Sequence, residues 1–589
     1  MSLTRLSLPS LLLATVSARG RSTVDSLSEP LRLMRMRAGR PGPFHAARPG
    51  FHYGNKEKGE ALLAGKFTYG GQSVDVGLQG DPWTITVPST RYAAWLHSFE
   101  WITDLLAVGP KAKGKAEEKA AALRARSLVD NWITHYGVWN HFNWQPEILT
   151  PRLWQWLVHW TPILSSDAAG PKAAQRRASV MRQMKYLRSR YKSLPPSVLR
   201  LQAAAALALG GAKLTEKSES YFARSLDWLD DEVDAQILPD GGHISRNPEA
   251  TLQCLDILLT LDSCLADRDV EGSRTISRAI DRLVPMVAFF LHSDGQLGSF
   301  NGGGPGEAIK IKTLLDAAPG EARPFAFCPH TQYQRLAAGE SVLLIDTGDT
   351  PPRPYDLKTH LAPLAFELST ELGRLVVNCG WNEEQPPGWR RPMRSSAAHS
   401  TLSLDAQSPG QLLPKGWKTQ AVGEAVLENA GPTKSTRKEQ EGGIWLESSH
   451  QGYLARTGLG HRRRLFMSTD GVDIRGEDSL YVPLGHSPLS REERPFEIRF
   501  HFHPDVRVSL SQDQASALLV QRGQAGWRFR TDGGPLSLED SVYLAEGAKP
   551  MRCQQLVISG RALSDNDGEG RTNRVRWSFR KLESRRKDG

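Results

Sequence analysis

Residues 238–248 read LPDGGHISRNP and separate two stretches of helical periodicity. An acid, an imidazole, a guanidinium and an amide lie between Asp240 and Asn247, and Pro248 suits the first turn of a helix. Backbone N–H groups and the positive dipole end at a helix start favour an anion, so this stretch can bind a carboxylate. An ordinary turn between helices, with Asn247 as the N-cap, explains the same residues, and the two interpretations are compatible.

The sequence around this stretch has a helical pattern. From about Tyr92 to Leu315, apolar residues recur three and four positions apart, which gives each helix one buried stripe. Glycine or proline marks the predicted turns, among them Gly210-Gly211 and Gly241-Gly242. The predicted helices are Ala116–Tyr136, Pro151–Leu164, Ala173–Tyr191, Ser197–Leu209, Glu219–Leu229, Thr251–Leu265 and Thr275–His292.

The pattern changes at the glycine-rich segment Gly302–Gly306. Beyond about Arg323, short runs of strand composition alternate with Gly, Pro, Asp and Ser, which is typical of a large antiparallel sandwich. The charged segment Thr433–Gly443 is predicted to be an exposed loop. The predicted strands are Ser341–Thr347, Ala365–Thr370, Leu375–Cys379, Ser400–Leu404, Phe496–Phe502, Ala517–Gln521, Gln555–Ser559 and Arg574–Phe579.

The chain has 589 residues, more than one hydrophobic core usually supports. Helices first and strands second indicate separate domains rather than an interleaved α/β sheet. We predict a basic lead-in over residues 1–45, a helical domain over 46–322 with a small β element near 67–87, and a β domain over 323–589.

The first residues leave the location of the protein open. Residues 1–18 loosely resemble a secretory signal, although Pro9 interrupts their apolar stretch. Removal of these residues would place the protein in the periplasm or cell envelope, and their retention would leave it in the cytoplasm. No apolar run is long enough to span a membrane.

The charge of the chain points to an acidic partner. Its net charge is +10, from 74 Lys and Arg against 64 Asp and Glu. Zinc-finger spacing, RNP-like motifs and long basic helices are missing, so the sequence favours an acidic polysaccharide or small molecule over nucleic acid. Five scattered cysteines without a CxxC pair argue against a disulfide framework or a thiolate zinc site. The oligomeric state stays open.

Four strings, in order along the chain, resemble the heparinase II/III-like family of polysaccharide lyases. DGGHISRNP resembles the family's "DG…SP" segment, and His360 with Phe366-Glu367-Leu368 resembles its "H-x-D…SFEL" strand. Residues 398–401 (AHST) resemble its "HNT" motif, and residues 461–465 (HRRRL) resemble a later sandwich strand. The resemblance runs from about residue 139 to 504 and implies an incomplete α/α toroid, an antiparallel helical barrel, followed by a large antiparallel β-sandwich.

The resemblance also implies a reaction, the β-elimination of an acidic, uronate-containing polysaccharide, with a bacterial cell-envelope polymer as the expected context. Its three tasks are to neutralise the uronate carboxylate, remove the C5 proton and protonate the leaving oxygen. We assign the first task to Arg246 and Asn247, since a guanidinium matches a carboxylate bidentately. His243 would act as base or acid, and His399 would supply a second imidazole.

Further residues are predicted to contact the substrate. Asp240 and His360 lie in the resembling strings. Trp139 belongs to the aromatic segment of residues 139–144, which could stack on sugar rings, although a buried cluster is the ordinary interpretation. Tyr333 is the nearest tyrosine outside the lost site, although packing is the ordinary role of a tyrosine that opens a strand.

The sequence departs from the family pattern at several positions. The family's tyrosine is replaced by Ala250, and its Asn-His pair is replaced within residues 194–198 (LPPSV). In its "H-x-H-x-D" strand, Lys358 and Ala362 replace the first histidine and the aspartate. His360 and His399 could still hold zinc if water or another oxygen joined them.

These departures leave three hypotheses. The leading one is a lyase whose catalytic set has moved to other residues. The second is a protein that binds or helps export an acidic polysaccharide without cutting it. The third is a hydrolase, which needs two carboxylates about 5–10 Å apart, and Asp240 with Glu249 is the only candidate pair close in sequence.

Overall fold

The computed structural model describes residues 44, 51, 53–108, 115–164, 170–214, 219–266, 272–486, 492–522, 524–563 and 573–582. The predicted lead-in, including the signal-like residues 1–18, lies outside these residues except for position 44. Within the described residues, no helix is both long and apolar enough to cross a membrane.

The first half of the described chain is helical, as predicted. The predicted helices are found within a few residues of their expected bounds, apart from one that is split in two and one that extends further. The helices are α1 (Lys56–Leu63), α2 (Thr90–Ser98), α3 (Ile102–Leu106), α4 (Lys115–Tyr136), α5 (Pro146–Val158), α6 (Trp160–Leu164), α7 (Pro171–Arg190), α8 (Val198–Lys213), α9 (Glu219–Gln236), α10 (Pro248–Ala266), α11 (Arg274–Phe289) and α12 (Ala308–Ala317).

Consecutive helices pack on one another, as α8 does with α9 and α10 with α11, and their apolar faces share one core. The predicted turn at Gly210-Gly211 is wrong, because both glycines lie inside α8. A Cβ on Gly210 would come within 2.4 Å of the Met184 side chain, so this glycine lets α8 approach α7 closely. The glycine pair therefore marks a close contact between packed helices rather than a turn.

The second half of the described chain is built of strands. A small hairpin, β1 (Lys66–Tyr69) with β2 (Gln72–Asp75), lies in the helical half, where a β element was predicted. The later strands are β3 (Phe327–Cys328), β4 (Tyr333–Ala338), β5 (Ser341–Asp346), β6 (Phe366–Thr370), β7 (Gly373–Val377), β8 (Leu402–Leu404), β9 (Gln411–Leu412), β10 (Val426–Glu428), β11 (Thr433–Gln440), β12 (Gly443–His450), β13 (Gly460–Ser468), β14 (Asp473–Tyr481), β15 (Arg494–Phe502), β16 (Val506–Leu510), β17 (Ser516–Gln521), β18 (Gln524–Thr531), β19 (Leu536–Tyr543), β20 (Met551–Ala562) and β21 (Arg574–Lys581).

Two large antiparallel sheets form a sandwich. One has the order β11-β12-β13-β14-β21-β18-β17-β16, and the other has the order β19-β20-β15-β7-β6-β5-β4-β3, with β8 paired to β15. A second apolar core lies between them. The fold class expected from the sequence, a helical toroid followed by a β-sandwich, is therefore confirmed. The domain limits at 45/46 and 322/323 stay predictions.

The segment Thr433–Gly443 was predicted to be a loop, and this is wrong. Its residues form β11, which pairs in continuous register with β12. Because β11 is an edge strand with exposed side chains along most of its length, it has no apolar alternation that would reveal it.

Strand β5 connects the two halves of the molecule. Leu343 and Ile345 point into the core of the sandwich, whereas Leu344 belongs to the helical core. A strand buried on both faces loses the period-two pattern, which explains the continuous apolar run VLLI. The sheet containing β5 therefore packs on the helical half, and the predicted site residues lie along that junction.

Candidate functional site

The turn at residues 238–247 joins α9 to α10 at the junction of the two halves. The Asn247 side-chain oxygen accepts hydrogen bonds from the N–H groups of Glu249 (2.8 Å) and Ala250 (3.2 Å). It therefore satisfies two of the unpaired donors at the start of α10. The capping interpretation of Asn247 is confirmed.

Asp240 connects this turn to the β half. One carboxylate oxygen accepts from the N–H groups of His330 (2.8 Å) and Thr331 (2.7 Å), and the other accepts from the Thr331 hydroxyl (2.7 Å). The carboxylate thus holds the chain that leads into β4, and this geometry favours a structural role over a substrate contact.

Arg246 makes several contacts across the junction. Its Nε donates to the Thr331 carbonyl (2.9 Å) and Nη1 donates to the Asp349 carbonyl (2.8 Å). Nη2 pairs with the Asp346 carboxylate at the end of β5. A Cβ on Gly348 would lie 2.0 Å from Nη2, so the guanidinium can occupy this position only because residue 348 is a glycine.

Arg246 is only 6% exposed, and four hydrogen bonds hold its guanidinium to protein partners. Burial opposes its charge, but the neighbouring Asp346 carboxylate outweighs burial and raises the pKa of Arg246. Arg246 was predicted to bind a substrate carboxylate, but its guanidinium is already paired with the carboxylate of Asp346.

Tyr333 lies beneath Arg246 and is fully buried. Its hydroxyl donates to the Arg246 carbonyl (2.8 Å), and the Arg246 guanidinium stacks 4.9 Å from the centre of its ring. The Asn301 amide donates to the Tyr333 hydroxyl (2.7 Å). Tyr333 therefore has no surface for a substrate, and the packing interpretation fits its position.

His243 is buried between two polar neighbours. Because the Ser245 N–H donates to Nδ1 (3.1 Å), Nδ1 carries the lone pair and also accepts from the Ser245 hydroxyl (2.6 Å). Nε2–H then donates to the Gln236 side-chain oxygen (3.0 Å). Burial lowers the pKa of His243 to about 3, so the ring is neutral at neutral pH.

His360 and His399 contact each other. His399 Nδ1 lies 2.7 Å from the Ser395 carbonyl and must donate to it, and its Nε2 lies 2.7 Å from His360 Nδ1, to which the Asn301 N–H also donates (3.1 Å). His360 Nε2 accepts from the Gly302 N–H (2.8 Å). Burial lowers the pKa of both rings, that of His399 to about 4.

This pair does not fit the zinc site of the sequence-based hypothesis. A zinc ion lies about 2.0–2.1 Å from each imidazole nitrogen with tetrahedral angles, which requires facing nitrogens further apart than 2.7 Å. No group of three or more His, Cys, Asp or Glu side chains in the described part of the chain could hold a metal ion.

Trp139 lies elsewhere, in the loop that follows α4, where its ring packs 4.5 Å from that of His141. The two carboxylates of the hydrolase hypothesis are held by different partners, since Glu249 accepts from the Gly304 N–H (2.8 Å) and Asp240 binds Thr331. The turn thus brings Asp240, His243, Arg246 and Asn247 together, with Tyr333 beneath them, as parts of the domain junction.

A second group of polar residues at the junction was missed by the sequence reasoning. We call Tyr191, Arg200, Glu232 and Tyr355 the Arg200 cluster. Arg200 Nε lies 2.8 Å from Glu232 Oε1, and the guanidinium lies 5.2 Å from the centre of the Tyr191 ring. These residues come from four separate segments, so no local motif could have revealed them.

Tyr355 brings the β half into this cluster. Its ring meets that of His243 edge-on, with centroids 5.8 Å apart. Burial and the negative charge of Glu232 raise the pKa of Tyr355 to about 12, so its phenol is a proton donor at neutral pH. Arg200 also pairs with a carboxylate, that of Glu232, and donates from Nη1 to the Leu194 carbonyl (3.3 Å). Its side chain is 25% exposed, unlike the enclosed Arg246, so it can still contact an anionic group from solvent.

The sequence matches known proteins in both halves. The heparinase II/III-like C-terminal family model matches residues 320–578. The FtsZ-localized protein C of Caulobacter vibrioides is 33% identical over 533 residues, which cover 89% of this chain and 88% of that protein.

Solved structures show the same architecture. A crystal structure of heparinase III superposes with a TM-score of 0.63 and 12% identity, covering 98% of this chain and 92% of that one. A mutant of a heparan sulfate lyase from Pedobacter heparinus superposes with a TM-score of 0.59 and 14% identity, covering 99% and 92%. At these identities the likeness is one of fold.

Proposed function

The chain belongs to the heparinase II/III-like family, and on that premise we propose that it binds an acidic polysaccharide at the junction of its two halves without cleaving it. The helical and β halves of the lyase fold are retained, while Arg246, which was expected to neutralise the uronate, joins the two halves.

The observation that carries this proposal is the engagement of Arg246. Its guanidinium pairs with Asp346 and donates to three backbone carbonyls, so it cannot also neutralise a substrate carboxylate. The family's tyrosine position is Ala250, which is buried in α10. A C5 proton is weakly acidic, so its removal requires a group that stabilises the developing charge, and Arg246 is not free to be that group.

We assign the binding of the polysaccharide to the Arg200 cluster. Arg200 is its partly exposed cation, and the buried Tyr191, stacked on Trp228 with ring centroids 4.3 Å apart, supports the guanidinium from the protein side. A guanidinium beside aromatic rings suits a carboxylate-bearing sugar.

Equilibrium binding of the purified chain to uronate polymers, with neutral dextran as the reference, tests the proposal. We expect saturable binding to at least one uronate polymer, and about tenfold weaker binding after Arg200→Gln. Arg561→Gln, which removes an exposed cation on β20, is the matched control and should leave the affinity unchanged. Equal effects of the two substitutions would refute the assignment to Arg200.

The likeness to a protein named for its localisation with FtsZ supports an expectation about location. Since the two sequences match over almost their full lengths, we expect this chain to be found where FtsZ is found. Imaging of a fluorescent fusion in a cell with labelled FtsZ would check this, and a uniform distribution would contradict it.

One observation favours a second candidate function, elimination by a displaced set of residues. Ser245, His243, Gln236 and Glu232 form a continuous hydrogen-bonded chain, and Tyr355 lies beside it. Ser245, passing its own proton to His243, would remove the C5 proton. The electron pair would form the C4–C5 double bond, the C4–O bond would break, and the Tyr355 phenol would protonate the leaving oxygen.

The unsaturated uronate formed in this way absorbs ultraviolet light, whereas the substrate does not. A rise in absorbance that is lost in Tyr355→Phe, measured at polymer concentrations that saturate the variant, would establish this second function. A constant absorbance under conditions where the polymer binds would exclude it.

A further inference from the structure

A wide groove lies on the sandwich, on the outer face of the sheet that contains β11–β14, β16–β18 and β21. Its volume is about 1350 Å³, and it is lined by residues of β12, β13, β14, β18 and β21. Most small-molecule pockets have about 300–1,000 Å³, so this groove has room for a longer ligand. The elements that carry the Arg200 cluster do not line it.

The groove is strongly basic. Seven of its lining side chains are Arg or Lys, against three that are Asp or Glu. Arg464 and Arg475 pair with these or neighbouring acids, whereas no ion pair within the described residues includes Arg528, Arg530 or Arg580. Arg576 and Lys581 on β21 pair with Glu477 and Glu371, so the groove-lining cations that face solvent without an ion pair to a described residue are Arg528, Arg530 and Arg580.

The strand register places like charges opposite each other. Arg528 on β18 is the direct partner of Arg580 on β21, and Arg530 follows two residues later on the same face of the sheet. Like charges in this position destabilise a sheet. An anion bound between these arginines would remove the repulsion, so the arrangement favours the binding of an anionic ligand.

The opposite end of the groove is aromatic. Trp445 is 47% exposed and lies opposite Phe466 in the register of β12 and β13, with ring centroids 4.6 Å apart. Arg475 follows on β14, 5.8 Å from the Phe466 ring. An exposed indole supported from one side is a flat platform for a sugar ring.

Residues in register form a row across the sheet, from Trp445 through Phe466, Arg475 and Ser578 to Arg530. The row crosses four strand spacings, which amount to roughly 19 Å. We propose that this groove is a second binding site for an acidic polysaccharide, whose chain lies across the strands between Trp445 and Arg528. This inference rests on the proposed function for the class of ligand.

The lining favours a polysaccharide over other polyanions. Asp473 and Glu477 lie among the arginines, where they accept hydrogen bonds from sugar hydroxyls but repel a backbone with a phosphate on every residue. A peptide adding a strand needs a free sheet edge, and this is a sheet face whose backbone groups are paired. Single-stranded nucleic acid uses an aromatic platform for each base, and Trp445 is the one exposed aromatic of this lining.

Charge reversal in the full-length chain tests the inference. Arg528→Glu with Arg580→Glu changes the charge by four units inside the groove. Arg552→Glu with Arg561→Glu makes the same change on β20, in the other sheet. We expect the groove variant to bind a uronate polymer at least about tenfold more weakly than the wild type, and the control variant to bind within about twofold, since long-range effects of exposed charge are screened by salt.

The experiment separates this inference from the proposed function. Loss of affinity in the groove variant, with a further loss when Arg200→Gln is added, supports two independent sites. Equal affinities of the groove and control variants would refute the groove as a binding site while leaving the proposed function in place. Absence of binding to any uronate polymer in the wild type would overturn both.

Competing polyanions complete the test. Poly(U), poly-glutamate and anionic phospholipid vesicles are compared with the uronate polymer at equal ionic strength. Tighter binding of any of these three, with the loss confined to the groove variant, would assign the groove to another class of ligand and overturn the inference. Trp445→Ala should weaken binding of the uronate polymer and leave the thermal stability unchanged, because the indole is exposed.

Discussion

Arg246 and Asp346, one hundred residues apart in the sequence, form a buried ion pair that joins the helical half to the β-sandwich. Arg246 has a positive φ of 60°, a conformation that residues other than glycine seldom adopt. The turn holds this conformation because the side chain is fixed at four points on the β half. The feature of the sequence that most suggested catalysis is therefore a structural connection.

Arg246→Ala should strongly destabilise the protein. It leaves the Asp346 carboxylate buried without its cation, and loss of one partner of a buried pair typically reduces the free energy of unfolding by about 3–5 kcal/mol. Denaturant unfolding measures this loss. Arg561→Ala, which breaks an exposed pair with Glu493, should change stability by less than about 1 kcal/mol. Similar small effects of both substitutions would contradict the role given to Arg246.

Asn247→Ala should lower stability by about 1 kcal/mol, because the start of α10 loses its cap. Asn247→Asp keeps an accepting oxygen and should restore most of that stability. Thermal unfolding compares the three proteins. If Asn247 instead bound the substrate carboxylate, Asn247→Asp would repel it, so loss of polymer binding in this stable variant would contradict the capping account.

The protein should lose stability as the pH falls below about 6.5. Burial lowers the pKa of His97, His243 and His501 to about 3, whereas histidines in the unfolded chain titrate near 6.5. Between these values the unfolded state binds protons that the folded state does not. Each such group therefore reduces stability by up to about 1.4 kcal/mol per pH unit as the pH falls.

Melting temperatures measured from neutral to mildly acidic pH follow this effect. His501→Gln removes one of the buried rings and should make the decline less steep. His135→Gln removes an exposed ring and serves as the control. An unchanged slope in His501→Gln would mean that His501 does not contribute to the acid sensitivity.

Zinc should not stabilise the protein through His360 and His399. Their facing nitrogens are 2.7 Å apart and bonded to each other, so a metal ion would have to separate them. We expect the same melting temperature with and without zinc in the wild type and in His399→Gln. A zinc-dependent rise that His399→Gln abolishes would restore the metal-site hypothesis.

The helices and most central strands could be predicted from the sequence because their signal is local. The buried apolar stripe of α10, for example, consists of residues three and four positions apart. Strand β11 could not be predicted, since its exposed charged residues carry no such pattern and its strand state depends on pairing with β12. Likewise, Gly210 and Gly211 in α8 reflect contacts with α7 and α9 that no local pattern contains.

The sequence predicted which polar residues of the turn lie together, but not which protein groups they bind. Residue types and spacing showed that an acid, an imidazole, a guanidinium and an amide lie together at residues 240–247. They could not show that Arg246 pairs with Asp346 and that Asp240 binds Thr331, because these partners lie about a hundred residues later in the chain. The Arg200 cluster was missed for the same reason, because only the packing of the two halves brings Tyr355 beside His243.

The most direct measurement records ultraviolet absorbance of the wild-type protein with a uronate polymer at concentrations where binding has been shown to be saturated. We predict full binding and a constant absorbance, because the guanidinium expected to neutralise the uronate is paired with Asp346. A rise in absorbance that requires the protein would contradict the account and establish a lyase.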